Sequence, residues 1–367
     1  MSAPRLEIDL DKLYHNAHIL AERLNAKGIS VTGITKAFLG MPEIANTLLR
    51  AGIHTLGDSR IENIESMRHA GIDSPMMLIR SPMLSQVEQV VSYANISLNT
   101  ELDVIIKLSA AAQKMNKTHD VVLMVELGDL REGIMKDDVE HVVRETLKLP
   151  NIKLKGIGTN LACRSGVTPD TNNMAELSAL ADSIETTFGI TLEIVSGGNS
   201  ANINWIFSDV ETGRINNLRL GEVLLLGCEP SQRQEIEGLF TDVFTLVAEV
   251  IESKVKPAQA WGELAQSAFS ETPSISLKQG TINQSILAIG HQDTDPDGLK
   301  TPAGSVILGA SSDHLVIEAE QCLPIGSELR FQPNYSALVR AMTSPFVSKV
   351  TNEKFSAVDI HSKKHNN

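Results

Sequence analysis

The stretch VTGITKAFLG, residues 31–40, is a short apolar, β-branched run that ends on one lysine, Lys36, followed by a bulky aromatic residue and a glycine. Such a run reads as a buried strand that delivers an ammonium group at its end. Seven further runs of the same kind follow: HTLG (54–57), MMLIR (76–80), ISLN (96–99), VVLMVEL (121–127), LKGIGTN (154–160), LEIVSG (192–197) and NLRLG (217–221). Between them lie segments such as ELDVIIKLSAAAQKM and NNMAELSALADSIETTF, whose apolar residues recur at three and four, the period of an amphipathic helix. Strand and helix alternate in the way that builds a parallel sheet with crossover helices. Eight alternations over about 190 residues match a (β/α)8 TIM barrel, which typically takes ~250 with its loops. A doubly wound open sheet is the competitor, but it usually has fewer strands.

After about residue 232 the rhythm changes to strand-like runs, FTLVAEVIESKV, INQSILAIG, SVILGA, HLVIEAEQ and ELRFQP, separated by turn-rich pieces without a long helix. The expected organisation is therefore an α/β barrel over residues 10–232 followed by a mostly β domain over 233–355. RLEIDL, at the start, precedes the first helical segment and has no βα partner, so residues 1–9 are assigned to the β domain. The polar tail, 356–367, is expected to be disordered.

The 367 residues carry 45 acidic and 32 basic side chains, a formal net charge of −13. With mixed-sign segments and no basic block, this argues against nucleic acid and against anionic membrane surfaces. The start, MSAPRLEIDLDKLYHN, has no basic region followed by an apolar stretch, and no apolar run approaches the roughly 18 residues of a membrane span. Cys163, Cys228 and Cys322 are odd in number and widely spaced, which indicates neither a disulfide framework nor a zinc cluster. A soluble cytoplasmic protein with a small-molecule substrate is expected, with no metal. DTDPDG (293–298) opens like a calcium loop, but Pro296 intrudes and Gly304 occupies the place of the bidentate glutamate.

Barrel chemistry gathers at the carboxyl ends of the strands, and phosphate often sits beyond strands seven and eight. Lys36 lies at the end of strand one, Arg131 after strand five in LGDLREG, Asn160 at the end of strand six, SGGNS (Ser196 to Ser200) after strand seven, and Arg219 in strand eight. Singly, each has a plain reading. Lys36 can be a lysine snorkelling from a strand end, SGGNS an ordinary turn, and the arginines members of ion pairs. Together they are the parts that pyridoxal 5'-phosphate requires: a lysine, desolvated among apolar neighbours, for an imine; a glycine-rich anion site; and an arginine for a ring nitrogen.

GDSRIEN, IRSPML, VELGDLREG, SGGNS, NLRLGE, AIGHQDTD and LGASSDH, taken together, resemble the alanine-racemase-like, fold type III, pyridoxal-phosphate enzymes, and more closely their ornithine racemase branch. The resemblance runs from RLEIDLDKL to TSPFV. It implies that Lys36 is the Schiff-base lysine, that Arg219 faces the pyridine nitrogen, that Arg131 lies near the phenolic oxygen, and that Asn160 holds a position usually taken by histidine. It further implies that Gly197, Gly198, Asn199, Ser200 and Gly221 serve the phosphate, with Tyr335 from the β domain; Ser196, which opens SGGNS, is counted with them as cofactor-binding. A head-to-tail homodimer is implied, in which the β domain of one subunit closes the barrel mouth of the other.

The chain departs from alanine racemase in one respect. That enzyme's second base is a tyrosine of the partner's β domain, and here no tyrosine lies between residues 232 and 334. A racemase needs an acid–base group on each face of the substrate carbon. The candidates opposite Lys36 are His291, His314, Asp313 and Cys163; each also reads as a turn residue or a small buried thiol. If Asp293, Asp295 or Asp313 lines the entrance, a basic amino acid such as ornithine or lysine is favoured as substrate. An alanine or broad-specificity racemase, a decarboxylase or lyase of the same fold, a non-catalytic cofactor carrier and a Schiff-base aldolase are the alternatives.

Overall fold

The computed structural model describes residues 2–208, 210–263, 265–266, 268–269 and 279–353. The tail at 356–367 lies outside them. The chain divides into two compact units, residues 13–241 and residues 1–12 with 242–367.

β1 (Arg5–Asp9) leads directly into α1 (Leu10–Asn25). Eight parallel strands then close into a barrel: β2 (Ser30–Ile34), β3 (Thr55–Asp58), β4 (Met76–Leu78), β5 (Ile96–Asn99), β6 (His119–Met124), β7 (Ile152–Gly158), β8 (Ile194–Ser196) and β9 (Asn217–Leu220). Closure comes from β9 pairing with β2, with Thr32 opposite Arg219. These strands are short and apolar because the wall is covered on both faces; every residue of β5 and β9 is buried. Alternate residues Met77, Ile96, Leu98, Val122 and Met124 pack as one cluster, with Ile79 and Ile194 against it, and fill the barrel. At Gly156 the wall is so tight that a Cβ would stand 1.9 Å from the carbonyl oxygen of Ile194.

Helices cover the outside: α2 (Pro42–Arg50), α3 (Ile61–His69), α4 (Val87–Tyr93), α5 (Leu102–Lys114), α6 (Lys136–Thr146), α7 (Thr171–Phe188), and the short α8 (Ile203–Phe207) and α9 (Glu222–Leu226). The longest, α7, shows why such segments are helical. Asp170 and Asn173 form a reciprocal capping box at its start, Met174, Leu177, Ala181 and Ile184 make one buried stripe, and Gly189 ends it in the left-handed conformation.

In the other unit the long strand β10 (Phe244–Pro257) is the spine. It pairs antiparallel with β1, with β11 (Thr281–Leu287) and with β15 (Glu328–Pro333). The sheet continues through β14 (Leu315–Ala319) to β13 (Ser305–Ala310) on one side and to the two-residue β12 (Leu299–Lys300) on the other. β16 (Ser348–Asn352) lies parallel to β1. Arg5 forks onto Glu328 at 2.6 and 2.7 Å and also reaches Glu7, which Arg330 pairs in turn.

Two elements of this unit follow the last strand-like run of the sequence, β16 and the helix α10 (Tyr335–Thr343), which is regular over nine residues. The Asn334 side chain accepts from Ala337 N–H, and Ala337, Leu338, Ala341 and Met342 bury one face. A single apolar stripe of this length carries little period to read. Among the described residues no helix is long and apolar enough to cross a membrane, and no cluster of His, Cys, Asp and Glu could hold a metal.

Candidate active site

Lys36 is the first residue past Thr35 at the carboxyl end of β2, where the chain tightens into a 3-10 turn over Lys36–Phe38. Thr35, Ala37 and Phe38 are buried, while Lys36 is exposed and has no hydrogen-bond or ion-pair partner among the described residues. This corrects the expectation of a lysine desolvated among apolar neighbours. The apolar layers end with the strand, and the side chain begins beyond them. The result is an amine on an anchored root.

Arg219 is the reverse case, 4% exposed and inside the wall. Its Nη1 donates to Ser196 Oγ at 2.5 Å, and its Nη2 donates to the Thr159 carbonyl at 2.7 Å and to Asn160 Oδ1 at 3.3 Å. Ser196 Oγ donates onward to Asn217 Oδ1 at 2.7 Å, and Asn217 Nδ2 donates to Thr32 Oγ1 at 3.1 Å. No carboxylate hydrogen-bonds to the guanidinium among the described residues. Burial pulls its pKa down to about 10, with Glu132 and Cys163 acting against the shift, so it stays cationic at neutral pH. A buried cation held only by neutral acceptors still needs a partner. Ser196, expected at the phosphate, instead belongs with its side chain to this arginine bracket, because it lies on the same inward face as Asn217 and Arg219.

Beyond β8 the chain turns through Gly197 and Gly198. Gly198 has φ +140°, and a Cβ there would stand 2.4 Å from Asn202 Oδ1. Asn202 Oδ1 accepts from Asn199 N–H at 3.0 Å, and Asn199 Oδ1 accepts from Ala201 N–H at 2.8 Å. Ser200 Oγ accepts from the N–H groups of Gly221 and Val223, both at a long 3.3 Å. Two strand-end turns thus bring backbone donors together on one weakly bonded hydroxyl, the geometry of an anion cradle.

Asn160 joins the two parts. Its Oδ1 accepts from both Arg219 and Asn199, the latter at 3.1 Å, and its Nδ2 donates to Cys163 Sγ at 3.0 Å. Cys163 is exposed. Arg131 is exposed and paired with Glu132 on the loop after β6, close enough for both charges to act on Arg219. That loop is tied down by buried Asp129, whose carboxylate accepts from the N–H groups of Arg164 and Ser165.

The remaining candidates belong to the β unit. His314 Nδ1 and Asp313 Oδ1 are 2.8 Å apart, and the histidine holds the carboxyl below the usual range. The neighbouring turn carries His291, which stacks on Phe269 with ring centroids 4.3 Å apart and donates its N–H to the Ser311 carbonyl. Tyr335 opens α10. Two acids expected at an entrance are committed within the unit. Buried Asp293 accepts from Ser344 Oγ at 2.8 Å, and Asp295 accepts from Ser336 Oγ at 2.5 Å. Their turn needs these side chains to tie it to α10 and the segment after it. Sequence reasoning gave no role to Asp58 or Glu222, the two carboxylates of the barrel unit that interact electrostatically with Lys36.

A strand-tip amine, a buried cation hydrogen-bonded to no carboxylate among the described residues and a turn rich in backbone donors are the parts that an enzyme holding an anionic carbonyl compound would need. Residues 8–230 match the family described as alanine racemase, N-terminal domain, and the chain belongs to that family. It is 38% identical to an ornithine racemase of Acetoanaerobium sticklandii over 94% of this chain and 99% of that one. It is 36% identical to a lysine racemase of Thermotoga maritima over 95% and 99%. Its fold matches that of alanine racemase from D-cycloserine-producing Streptomyces lavendulae, with a TM-score of 0.75 at 18% identity over 97% and 99% of the two chains. The chain is thus an enzyme, an isomerase of the pyridoxal-phosphate-dependent racemase class, as the resemblance implied.

The barrel end fits that cofactor: the Gly198 turn admits no Cβ beside Asn202 Oδ1, and among the described residues no carboxylate hydrogen-bonds to Arg219 and the Lys36 ammonium has no competing partner. Gly198→Ala tests the cradle. Strain of about 1–3 kcal/mol at this backbone conformation is expected to weaken pyridoxal phosphate binding about ten- to hundredfold, measured by equilibrium titration; unchanged affinity would place the anion elsewhere.

Proposed function

We propose that this chain racemises basic amino acids, ornithine or lysine ahead of alanine, acting in the cytosol as a homodimer. The observation that carries the reading is Arg219: a buried guanidinium bonded only to neutral oxygens and kept protonated. The two relatives matched along nearly their whole length, named ornithine racemase and lysine racemase, support the substrate class.

When bound, pyridoxal 5'-phosphate supplies an electron-withdrawing ring that makes the substrate's α-hydrogen acidic. The residues of this chain do the rest. Gly197, Gly198, Asn199, Ser200 and Gly221 would hold the cofactor's anionic end, and Lys36 its carbonyl carbon. Arg219 would face the ring nitrogen and keep its own proton. That limits how far charge is drawn from the α-carbon and favours return of a proton to it. Lys36 moves the proton on one face. The other face is served by His291, by His314 oriented by Asp313, or by Cys163, which Asn160 holds at the barrel end.

The test is a panel of L-amino acids in deuterated water. The expected product is the D-isomer with deuterium at the α-carbon, fastest for ornithine or lysine. Loss of carbon dioxide or of a side-chain fragment would assign a decarboxylase or lyase instead, and failure with ornithine, lysine and alanine together would remove the racemase reading.

A further inference from the structure

Asp58 is fully buried at the end of β3, yet among the described residues no cationic side chain hydrogen-bonds to it. Its Oδ2 accepts from Thr35 Oγ1 at 2.6 Å, and its Oδ1 accepts from Arg60 N–H at 2.8 Å and Asn63 Nδ2 at 3.1 Å. A buried carboxylate costs stability unless it is bonded this completely, and burial, outweighing these bonds, still raises its pKa. Fold stability alone gives little reason to keep an acid there.

What the arrangement fixes is Thr35. This residue is itself fully buried, and its N–H donates to the Gly57 carbonyl at 2.8 Å. Its carbonyl accepts from the N–H groups of Phe38 and Gly40, which close the turn carrying Lys36. The carboxylate therefore grips the residue immediately before the reactive lysine: the Thr35 hydroxyl has two acceptors on β3, and Asp58 Oδ2 at 2.6 Å lies closer than the Gly57 carbonyl at 3.2 Å. The positive charge acting on Asp58 is that of Lys36. Glu222, at the start of α9, is the second acid that acts on Lys36, and it is shared with Arg233 at 3.5 Å.

We propose that Asp58 is the positioning residue for Lys36: through Thr35 it sets the backbone from which the amine projects. The inference rests on the racemase reading above. Misplacement of a reacting group by an ångström costs up to about a hundredfold in rate. Each face of the substrate is served by a different group, so the slowed step is proton removal for one enantiomer and proton delivery for the other.

The experiment uses the holoenzyme with D- and L-ornithine, each also deuterated at the α-carbon, and the variants Asp58→Asn, Thr35→Val, Thr35→Ser and the double variant Asp58→Asn/Thr35→Val. Asp58→Asn and Thr35→Val are each expected to lower kcat about ten- to hundredfold with KM within about threefold. The double variant is expected to be no worse than the poorer single one, and Thr35→Ser is expected to restore nearly full activity. The α-deuterium isotope effect should rise for one enantiomer only, the one whose proton Lys36 takes. As a readout apart from turnover, the visible band of the lysine-bound cofactor should titrate at lower pH in Asp58→Asn than in the parent, since removing a negative charge favours loss of the proton.

Wild-type kcat in Asp58→Asn, multiplicative losses in the double variant, or isotope effects raised equally in both directions would each overturn the proposal. If Asp58→Asn does not fold, the Thr35 pair carries the same comparison. A wild-type holoenzyme that fails to racemise ornithine, but whose band still moves in Asp58→Asn, would overturn the function and leave the positioning role standing.

Discussion

Lys36→Ala is expected to lower racemisation by at least about 10⁴-fold, because one substitution removes both the covalent anchor and one of two acid–base groups. The protein should also lose the visible band of a lysine-bound cofactor and the label that borohydride would otherwise fix at position 36. The fold should survive. The Lys36 side chain is exposed and has no partner among the described residues, while Thr35, Ala37 and Phe38, which hold the turn, are untouched. A surface truncation of this kind changes stability by no more than about 0.5 kcal/mol, so thermal unfolding of the cofactor-free variant should match that of the cofactor-free parent. Arginine in its place is no substitute, since a guanidinium does not give up its proton to become a nucleophile. Borohydride label on another lysine, with activity retained, would move the reactive amine and remove the basis for every role assigned at the barrel end.

Which parts of this arrangement can be read from sequence follows from which parts are local. The eight wall strands are short apolar runs because both faces are buried, and ISLN coincides with Ile96–Asn99 residue for residue. The turn at Gly198 is legible because a backbone conformation with positive φ calls for glycine. Asp58 is not legible in the same way. In GDSR an acid ahead of a helix reads as a turn or cap residue, and only pairing of β2 with β3 shows that it grips Thr35 across the sheet. Ser196 was grouped with its glycines by sequence neighbourhood, whereas its side chain follows the two-residue period of the strand and faces Arg219. Asp293 looked like an exposed turn acid; its partner Ser344 lies 51 residues away. β16 (SKVTN) is polar at both ends and half-buried throughout its middle, so no alternation marks it.

Arg219→Glu is expected to lower racemisation about 10²–10⁴-fold and to produce an oxo acid that the parent does not form. The groups around position 219 are oxygens: the Thr159 carbonyl, Asn160 Oδ1 and the Ser196 hydroxyl. An ionised glutamate would face two acceptors in a buried site, so burial and these oxygens would together push its pKa up and keep it protonated. A protonated carboxyl hands its proton to a pyridine nitrogen far more readily than a guanidinium whose pKa is still about 10. Charge is then drawn further from the α-carbon and remains in the ring longer. A proton delivered to the ring's exocyclic carbon instead of the α-carbon ends as transamination rather than inversion. The substitution also removes three hydrogen bonds from a buried site, so unfolding should occur at lower temperature, and cofactor occupancy must be checked from the visible band. Arg219→Lys separates charge from chemistry: it keeps a cation that cannot span Ser196 and Thr159 at once, and should lose activity without forming oxo acid. Trapping the carbonyl product as a hydrazone measures the difference. Cofactor-loaded Arg219→Glu that makes no more oxo acid than Arg219→Lys would show that protonation of the ring nitrogen does not decide between the two reactions in this enzyme.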